Sequence, residues 1–264
     1  MLTKFENLKK YLGQLGSVAV AFSGGVDSTF LLKVAHDLLG DKIIAVTAAL
    51  KTFPKRELDY TQNFCRAEGI QQIIFDATEI TKEIFLKNPK NRCYLCKCSL
   101  FEKILEIAAE NKIAYVVEGS NMDDISDYRP GMQAISELQI KSPLREVELY
   151  KNEIRELSRK LNLPTWNKPS LACLASRFVY GEEISEEKLA MVESAEQFLL
   201  DNDFTQVRVR IHGKFARIEI LPEEFEKLIE KNLRGELVKK FQEYGFDYVT
   251  LDLQGYRSGS MNYA

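Results

Sequence analysis

The sequence predicts an α/β protein: a doubly wound parallel sheet followed by a smaller C-terminal α+β domain. Three observations carry this. Short β-branched and apolar runs alternate with stretches of helical period through the first half of the chain; a Gly-Gly turn follows the first of those runs directly; and a stretch with two prolines and the single Trp interrupts the alternation, Leu163-Pro-Thr-Trp-Asn-Lys-Pro169. Alternating strands and helices imply right-handed crossovers and a parallel sheet.

The elements follow in order. Ser17 to Phe22 (SVAVAF) is a run of the kind buried on both faces of a parallel sheet, and Thr29 to Leu39 has apolar residues at helical spacing. Lys42 to Ala48, Gln72 to Phe75 and Ala114 to Glu118 are further strands, with helices over Lys55 to Glu68 and Leu100 to Asn111. Lys151 to Leu161 reads as a charged amphipathic helix, and the proline-rich break after it places the domain boundary, giving domains over 1–168 and 169–264. The remainder reads as a helix over Glu186 to Asn202 with Ser185 as N-cap, strands Gln206 to Ile211 and Ala216 to Ile220 around a His212-Gly213 turn, a helix Glu223 to Tyr244 and a strand Asp247 to Leu253.

Composition narrows the function. Lys plus Arg number 36 against 39 Asp plus Glu, a net charge of -3, so the chain lacks the global basic balance of a dedicated nucleic-acid binder and any anion site must be local. The opening residues are charged and amphipathic, and no stretch approaches the roughly 20 apolar residues that span a bilayer. The expectation is a cytoplasmic protein with neither membrane nor nucleic-acid partner, its five cysteines reduced.

Ser23-Gly24-Gly25-Val26-Asp27-Ser28 ends the first strand and opens the first helix. Two glycines allow a tight turn and close approach, and free amides at a helix N-terminus with two hydroxyls make an anion cradle. An ordinary Gly-rich turn capped by Asp27 or Ser28 is the competing reading. The loop lacks the Lys of G-x-x-x-x-G-K-[ST] and the spacing of G-x-G-x-x-G. It resembles the pyrophosphate loop of the PP-loop, or N-type, ATP pyrophosphatases, which cleave ATP between its α and β phosphates, adenylylate an oxygen, and let a nitrogen or sulfur nucleophile displace AMP. The resemblance extends to Val46-Thr-Ala-Ala-Leu50, with Ala48 against adenine, and to Gly119-Ser-Asn-Met-Asp-Asp124, whose Gly119 and Asn121 join the nucleotide site. Asp27 and Asp124 are the expected Mg2+-side carboxylates, as Mg2+ takes one or two carboxylates plus phosphate oxygens; a solvated turn acid is the alternative for Asp124.

Cys173 lies in Lys168-Pro-Ser-Leu-Ala-Cys-Leu-Ala-Ser-Arg177, where two flanking cations favour the nucleophilic thiolate; a buried structural Cys is the alternative. Together with SGGVDS, the segments Asn91-Arg-Cys-Tyr-Leu-Cys-Lys97, Ser142-Pro-Leu144, Cys173-Leu-Ala-Ser-Arg177, Val207-Arg-Val-Arg-Ile-His-Gly213 and Gly255-Tyr-Arg-Ser-Gly-Ser-Met-Asn262 are similar to one PP-loop family nearly end to end. That family is the ATP-dependent sacrificial sulfur transferases that help build the nickel-pincer nucleotide of lactate racemase. The resemblance implies that Cys173 gives its own sulfur to a nicotinate-derived mononucleotide and is left as dehydroalanine. It further implies substrate contacts at Arg92, Tyr94, Ser176, Arg177, Arg208, Arg210 and Arg257, symmetric homo-oligomers, and product passed to a nickel-inserting protein.

Arg208, Arg210 and His212 alternate along a predicted strand, so they share one face while Val207, Val209 and Ile211 share the other. Such a face is either a phosphate clamp or a solvated outer surface. Arg257, Ser258 and Ser260 offer a further anion nest, and Glu193, Glu196 and Glu219 are candidate metal or proton-transfer carboxylates, Glu196 being carried as a metal ligand. Cys93, Cys96 and Cys98 have metal-ligand spacing without a four-thiolate pattern, making an iron-sulfur cluster the minor alternative sulfur source. A tRNA-thiolating enzyme, a glutamine-dependent amidotransferase and a nucleotide-binding regulatory module are the competing functions.

Overall fold

The computed structural model describes residues 1–125, 131–169 and 172–257, and divides the chain into two compact units. One comprises Met1–Ile84 and Asn91–Ser170, the other Phe85–Lys90 and Leu171–Ala264.

In the first unit, helix α1 (Leu2–Leu15) leads into strand β1 (Val18–Ala21), helix α2 (Val26–Leu39), β2 (Ile43–Ala49), α3 (Lys55–Glu68), β3 (Gln72–Asp76) and α4 (Thr78–Lys87), whose last turn enters the second unit. Then come α5 (Arg92–Glu110), β4 (Tyr115–Val117), α6 (Gly131–Glu137), α7 (Pro143–Glu146) and α8 (Lys151–Lys160). The four strands pair in parallel in the order β3-β2-β1-β4. Alternation is visible within the apolar runs: Val18, Val20, Ile43 and Ala45 pack with α1, α2 and α8, whereas Ala19, Ile44, Val46 and Val116 pack with α5. Covered on both faces, these strands have no polar side to show, which is why they read as continuous hydrophobic runs. None of the described helices is long and apolar enough to cross a membrane.

The second unit has helix α9 (Glu186–Asp201), with the Ser185 hydroxyl accepting the Lys188 N–H at 3.3 Å, then strands β5 (Arg208–His212) and β6 (Phe215–Glu219), helices α10 (Phe225–Ile229) and α11 (Lys231–Glu243), and strand β7 (Tyr248–Leu251). β5 and β6 form an antiparallel hairpin in which Gly213 adopts φ +60°, and β7 joins β6 in parallel. Sequence periodicity predicts one helix over 223–244, but Glu230 is extended (φ -51°, ψ 135°) and splits it. The split allows Leu228 on one side and Leu237 and Phe241 on the other all to be buried in one core. The 85–90 segment is tied to distant chain: the Asn88 amide donates to the Val179 and Glu182 carbonyls at 2.7 and 2.9 Å. Periodicity carries no trace of such a contact.

Candidate functional site

β1 delivers the phosphate loop to the carboxyl end of the sheet, where open α/β folds bind ligands. Gly24 adopts φ +70°, and a Cβ there would lie 3.0 Å from the Tyr60 ring and 3.1 Å from Thr61, so glycine is required for both conformation and space. Gly25 is the N-cap of α2, which starts at Val26, ahead of the Thr29 expected from periodicity. Ser23 Oγ and Ser28 Oγ lie 3.2 Å apart, and Ser28 Oγ donates to the Gly25 carbonyl at 3.3 Å. The two hydroxyls therefore flank the helix N-terminus, where amide donors and the positive end of the dipole favour an anion. Ala48, at the end of the neighbouring β2, is half-buried.

β4 lies beside β1, and this brings the Gly119–Asp124 element to the loop. A Cβ on Gly119 would sit 3.0 Å from Ser28 N, so the two backbones touch there. Asn121 Nδ2 donates to Asp27 Oδ1 at 3.3 Å, and the Asp124 carboxylate accepts the Asn121 N–H at 2.9 Å. The exposed Asp123 carboxylate accepts the Lys151 N–H at 2.6 Å. Asp27 also pairs with the Lys151 ammonium. Burial pushes the Asp27 carboxyl above its usual range, Lys151 opposes that, and the nearby Asp124 charge adds to it. Asp27 and Asp124, with the Lys151 ammonium on Asp27, are carboxylates of the kind that Mg2+ takes together with phosphate oxygens. Among the described residues, no group of three or more His, Cys, Asp or Glu is arranged to hold a metal by itself.

Lys168 departs from expectation. Placed by sequence as a cation activating Cys173, it donates to the Glu57 carboxylate at 2.5 Å and to the Gly24 carbonyl at 3.0 Å, with its ammonium 4.2 Å from the Tyr60 ring centroid. Its charge is neutralised by buried Glu57, and its structural effect is to hold the carbonyl of the left-handed glycine. Lys151, Asp123 and Glu57 are the residues that sequence reasoning missed. Their contacts span long stretches of chain, 124 residues in the case of Lys151 and Asp27, and no local pattern announces them.

The second unit assembles the other set. Cys173 is exposed and is the N-cap of a single 3-10 turn, Leu174–Arg177. Arg177 is fully buried and holds this turn from beneath. Its Nη1 donates to the Ala172 and Cys173 carbonyls at 2.8 and 3.1 Å and to Ser176 Oγ at 2.9 Å, while Nε and Nη2 form a bidentate pair with Glu196, each at 2.8 Å. A bridge between Phe178 and Ile211 sets the turn beside β5. There Arg210 donates to the Ser176 carbonyl at 2.9 Å and to Glu219 at 2.7 Å.

Arg208 and Arg210 are 5% and 4% exposed, so their face of β5 is not a solvated surface. Val207, Val209 and Ile211 pack in the core opposite, as the period of two requires. Arg177, Arg208 and Arg210 thus crowd their guanidiniums together around Glu196 and Glu219. Loss of water and the nearby Arg177 lower the Arg208 pKa to about 10. Its guanidinium also lies 5.2 Å from the Tyr256 ring centroid. Glu196 is buried with Oε1 additionally accepting the Val209 N–H at 3.0 Å, so a metal at Glu196 would have to displace Arg177.

Arg92 is buried at the start of α5, and the Tyr94 hydroxyl donates to Glu137 at 2.6 Å, which raises its pKa. Cys93, Cys96 and Cys98 all lie on α5, where positions three apart share a face but Cys98 is turned well away from Cys96. Cys65 is buried and its thiol is pushed up to about 12 by that burial, the state of an inert structural cysteine. Arg257 is exposed, while Ser258 and Ser260 lie outside the described residues.

No family model matches the chain. It is 44% identical over 260 residues to an uncharacterized protein of Synechocystis sp., covering 98% of this chain and 97% of that protein. It is 36% identical over 263 residues to the pyridinium-3,5-bisthiocarboxylic acid mononucleotide synthase of Lactiplantibacillus plantarum, covering 99% and 95%. A more distant similarity, 29% over 229 residues, reaches one chain of the glutamine-hydrolyzing GMP synthase of Archaeoglobus fulgidus, covering 77% and 72%. The parallel sheet, the SGGVDS cradle and the GMP synthase likeness define an enzyme of the PP-loop ATP pyrophosphatase class. Within that class, end-to-end similarity is decisive. The chain belongs to the pyridinium-3,5-bisthiocarboxylic acid mononucleotide synthase family.

Proposed function

We propose that this protein is an ATP-dependent, AMP-forming sulfur transferase that converts a carboxylate of a pyridinium mononucleotide to a thiocarboxylate with the sulfur of Cys173. The observation that carries the reading is an exposed thiol on a turn anchored by buried Arg177, in a chain that also holds a phosphate cradle at Ser23–Ser28. ATP binds with its phosphates on the amides and hydroxyls of that loop, its adenine against Ala48, and Gly119 and Asn121 closing the site. Asp27 and Asp124 hold Mg2+, which when bound offsets phosphate charge.

A substrate carboxylate oxygen attacks the α-phosphorus and pyrophosphate leaves. The Cys173 thiolate then attacks the acyl carbon and AMP leaves, giving a thioester. Removal of the Cys173 Cα proton sends its electron pair to form the Cα=Cβ bond and breaks Cβ–S, releasing the thiocarboxylate and leaving dehydroalanine. Ser176, Arg92, Tyr94 and Arg257 contact the substrate, and buried Arg177, Arg208 and Arg210 support the turn its phosphate lies against. Glu196 enters as the counter-charge of Arg177. The protein acts in the cytoplasm as a homo-oligomer and hands product to a nickel-inserting protein.

The test is intact mass spectrometry after incubation with Mg-ATP and the dicarboxylate pyridinium mononucleotide, followed by peptide mapping. Loss of the elements of hydrogen sulfide at Cys173 supports the reading. Cys173→Ala should still form pyrophosphate but no thiocarboxylate; thiocarboxylate made at the wild-type level by that variant would sink it.

A further inference from the structure

The phosphate loop carries no lysine of its own, yet a cation reaches it from a distant part of the chain. Lys151 is the first residue of α8, and its ammonium lies on Asp27 Oδ2 while Asn121 takes the other oxygen. The backbone of Lys151 is held firmly: its N–H donates to Asp123 at 2.6 Å, the adjacent Tyr150 N–H donates to Glu153 at 3.0 Å, and Lys4 ties Glu153 to the Glu148 carbonyl with two bonds of 2.8 Å. The root of the side chain is therefore positioned, while its head is not sealed. The side chains of Lys151 and Asp27 remain 31% and 21% exposed, and an ion pair with that access to water adds little stability and exchanges readily.

Charge balance gives the pair a purpose. Asp27 pairs with the Lys151 ammonium, and the Asp124 carboxylate lies near it. A divalent cation seeking Asp27 must compete with Lys151, and a polyphosphate arriving with that cation offers the displaced ammonium new oxygens nearby. We propose that Lys151 is an exchangeable counter-ion: it neutralises Asp27 when the site is empty, and moves to a phosphate oxygen when a divalent cation takes the carboxylate. It thereby supplies from α8 the positive charge that Walker-type loops carry in their own lysine. This inference rests on the nucleotide reading of the loop given above.

The test is calorimetric titration of the full chain with Mg2+ alone and with the nonhydrolysable analogue α,β-methylene-ATP in the presence of Mg2+. Lys151→Met should bind Mg2+ alone at least about tenfold more tightly, because a competing unit charge is gone. The same variant should bind the Mg-analogue about tenfold or more weakly, because a charged hydrogen bond to phosphate is lost. Lys151→Arg keeps the charge and should stay near wild type in both. If Lys151→Met does not fold, Lys151→Gln is read in the same way. Shifts of opposite sign cannot come from general loosening, which would weaken both ligands. Unchanged affinities, shifts of the same sign, or no measurable Mg2+ binding by either protein would overturn the counter-ion role alone. Wild-type protein that binds no nucleotide analogue would overturn the nucleotide reading with it.

Discussion

The two charged centres of this molecule are built on opposite plans. Around Asp27, charges meet at the mouth of the sheet, with each side chain retaining access to water and with glycine backbone setting the shape. Around Arg177, the charges are sealed: Arg177 and Glu196 are 1% and 2% exposed, and Arg210 pairs with a Glu219 that is wholly buried. The first plan leaves ion pairs that a ligand can displace. The second makes a rigid floor beneath the exposed Cys173 turn, since breaking any buried pair leaves an unpaired charge out of water.

The sharpest way to break the contrast is Glu196→Ala. It leaves the buried Arg177 guanidinium without its bidentate partner and should cost about 3–5 kcal/mol in denaturant unfolding of the protein. A loss no larger than that of an exposed pair would show that the second centre is as open as the first. Gly24→Ala comes next. Placing an L side chain at φ +70° costs about 1–2 kcal/mol, and the Cβ also presses on Tyr60 and Thr61. Nucleotide affinity should fall with stability, and an alanine variant with wild-type affinity would mean that the loop shape is not what binds.

The smallest effect concerns His212, beside the sealed centre. Loss of water first, and Arg217 second, hold its pKa below the ordinary 6.5 of the unfolded chain. The unfolded state therefore binds more protons between the folded and unfolded values, so His212 makes stability rise with pH through the window just below 6.5 and decline on acidification through it. His212→Gln should flatten that part of the stability profile, as read by thermal melts across pH 5 to 7.5 (about the range in which histidine titrates). An unchanged slope would place the acid sensitivity elsewhere.

Much of this was legible in the sequence, and the residues show why. Val18 to Ala21 had to be a buried strand because apolar residues occupy both of its faces, and Gly24 had to sit in a turn because few other residues reach its φ of +70°. Arg208 and Arg210 had to share a face because a strand has a period of two. These are consequences of local sterics and periodicity, which act over a few bonds. That same face was not legible as buried, because burial depends on what other segments cover it. Nor could the chain order say that Lys151 meets Asp27 across 124 positions, or that Lys168 serves Gly24 and Glu57. An ion pair forms wherever folding brings opposite charges within reach, and a chain of 36 cationic and 39 acidic side chains offers many pairings. The sequence by itself determined the strands, the phosphate loop and the thiol; only the tertiary structure decided which charge stands beside each, because that choice depends on distance in space and not along the chain.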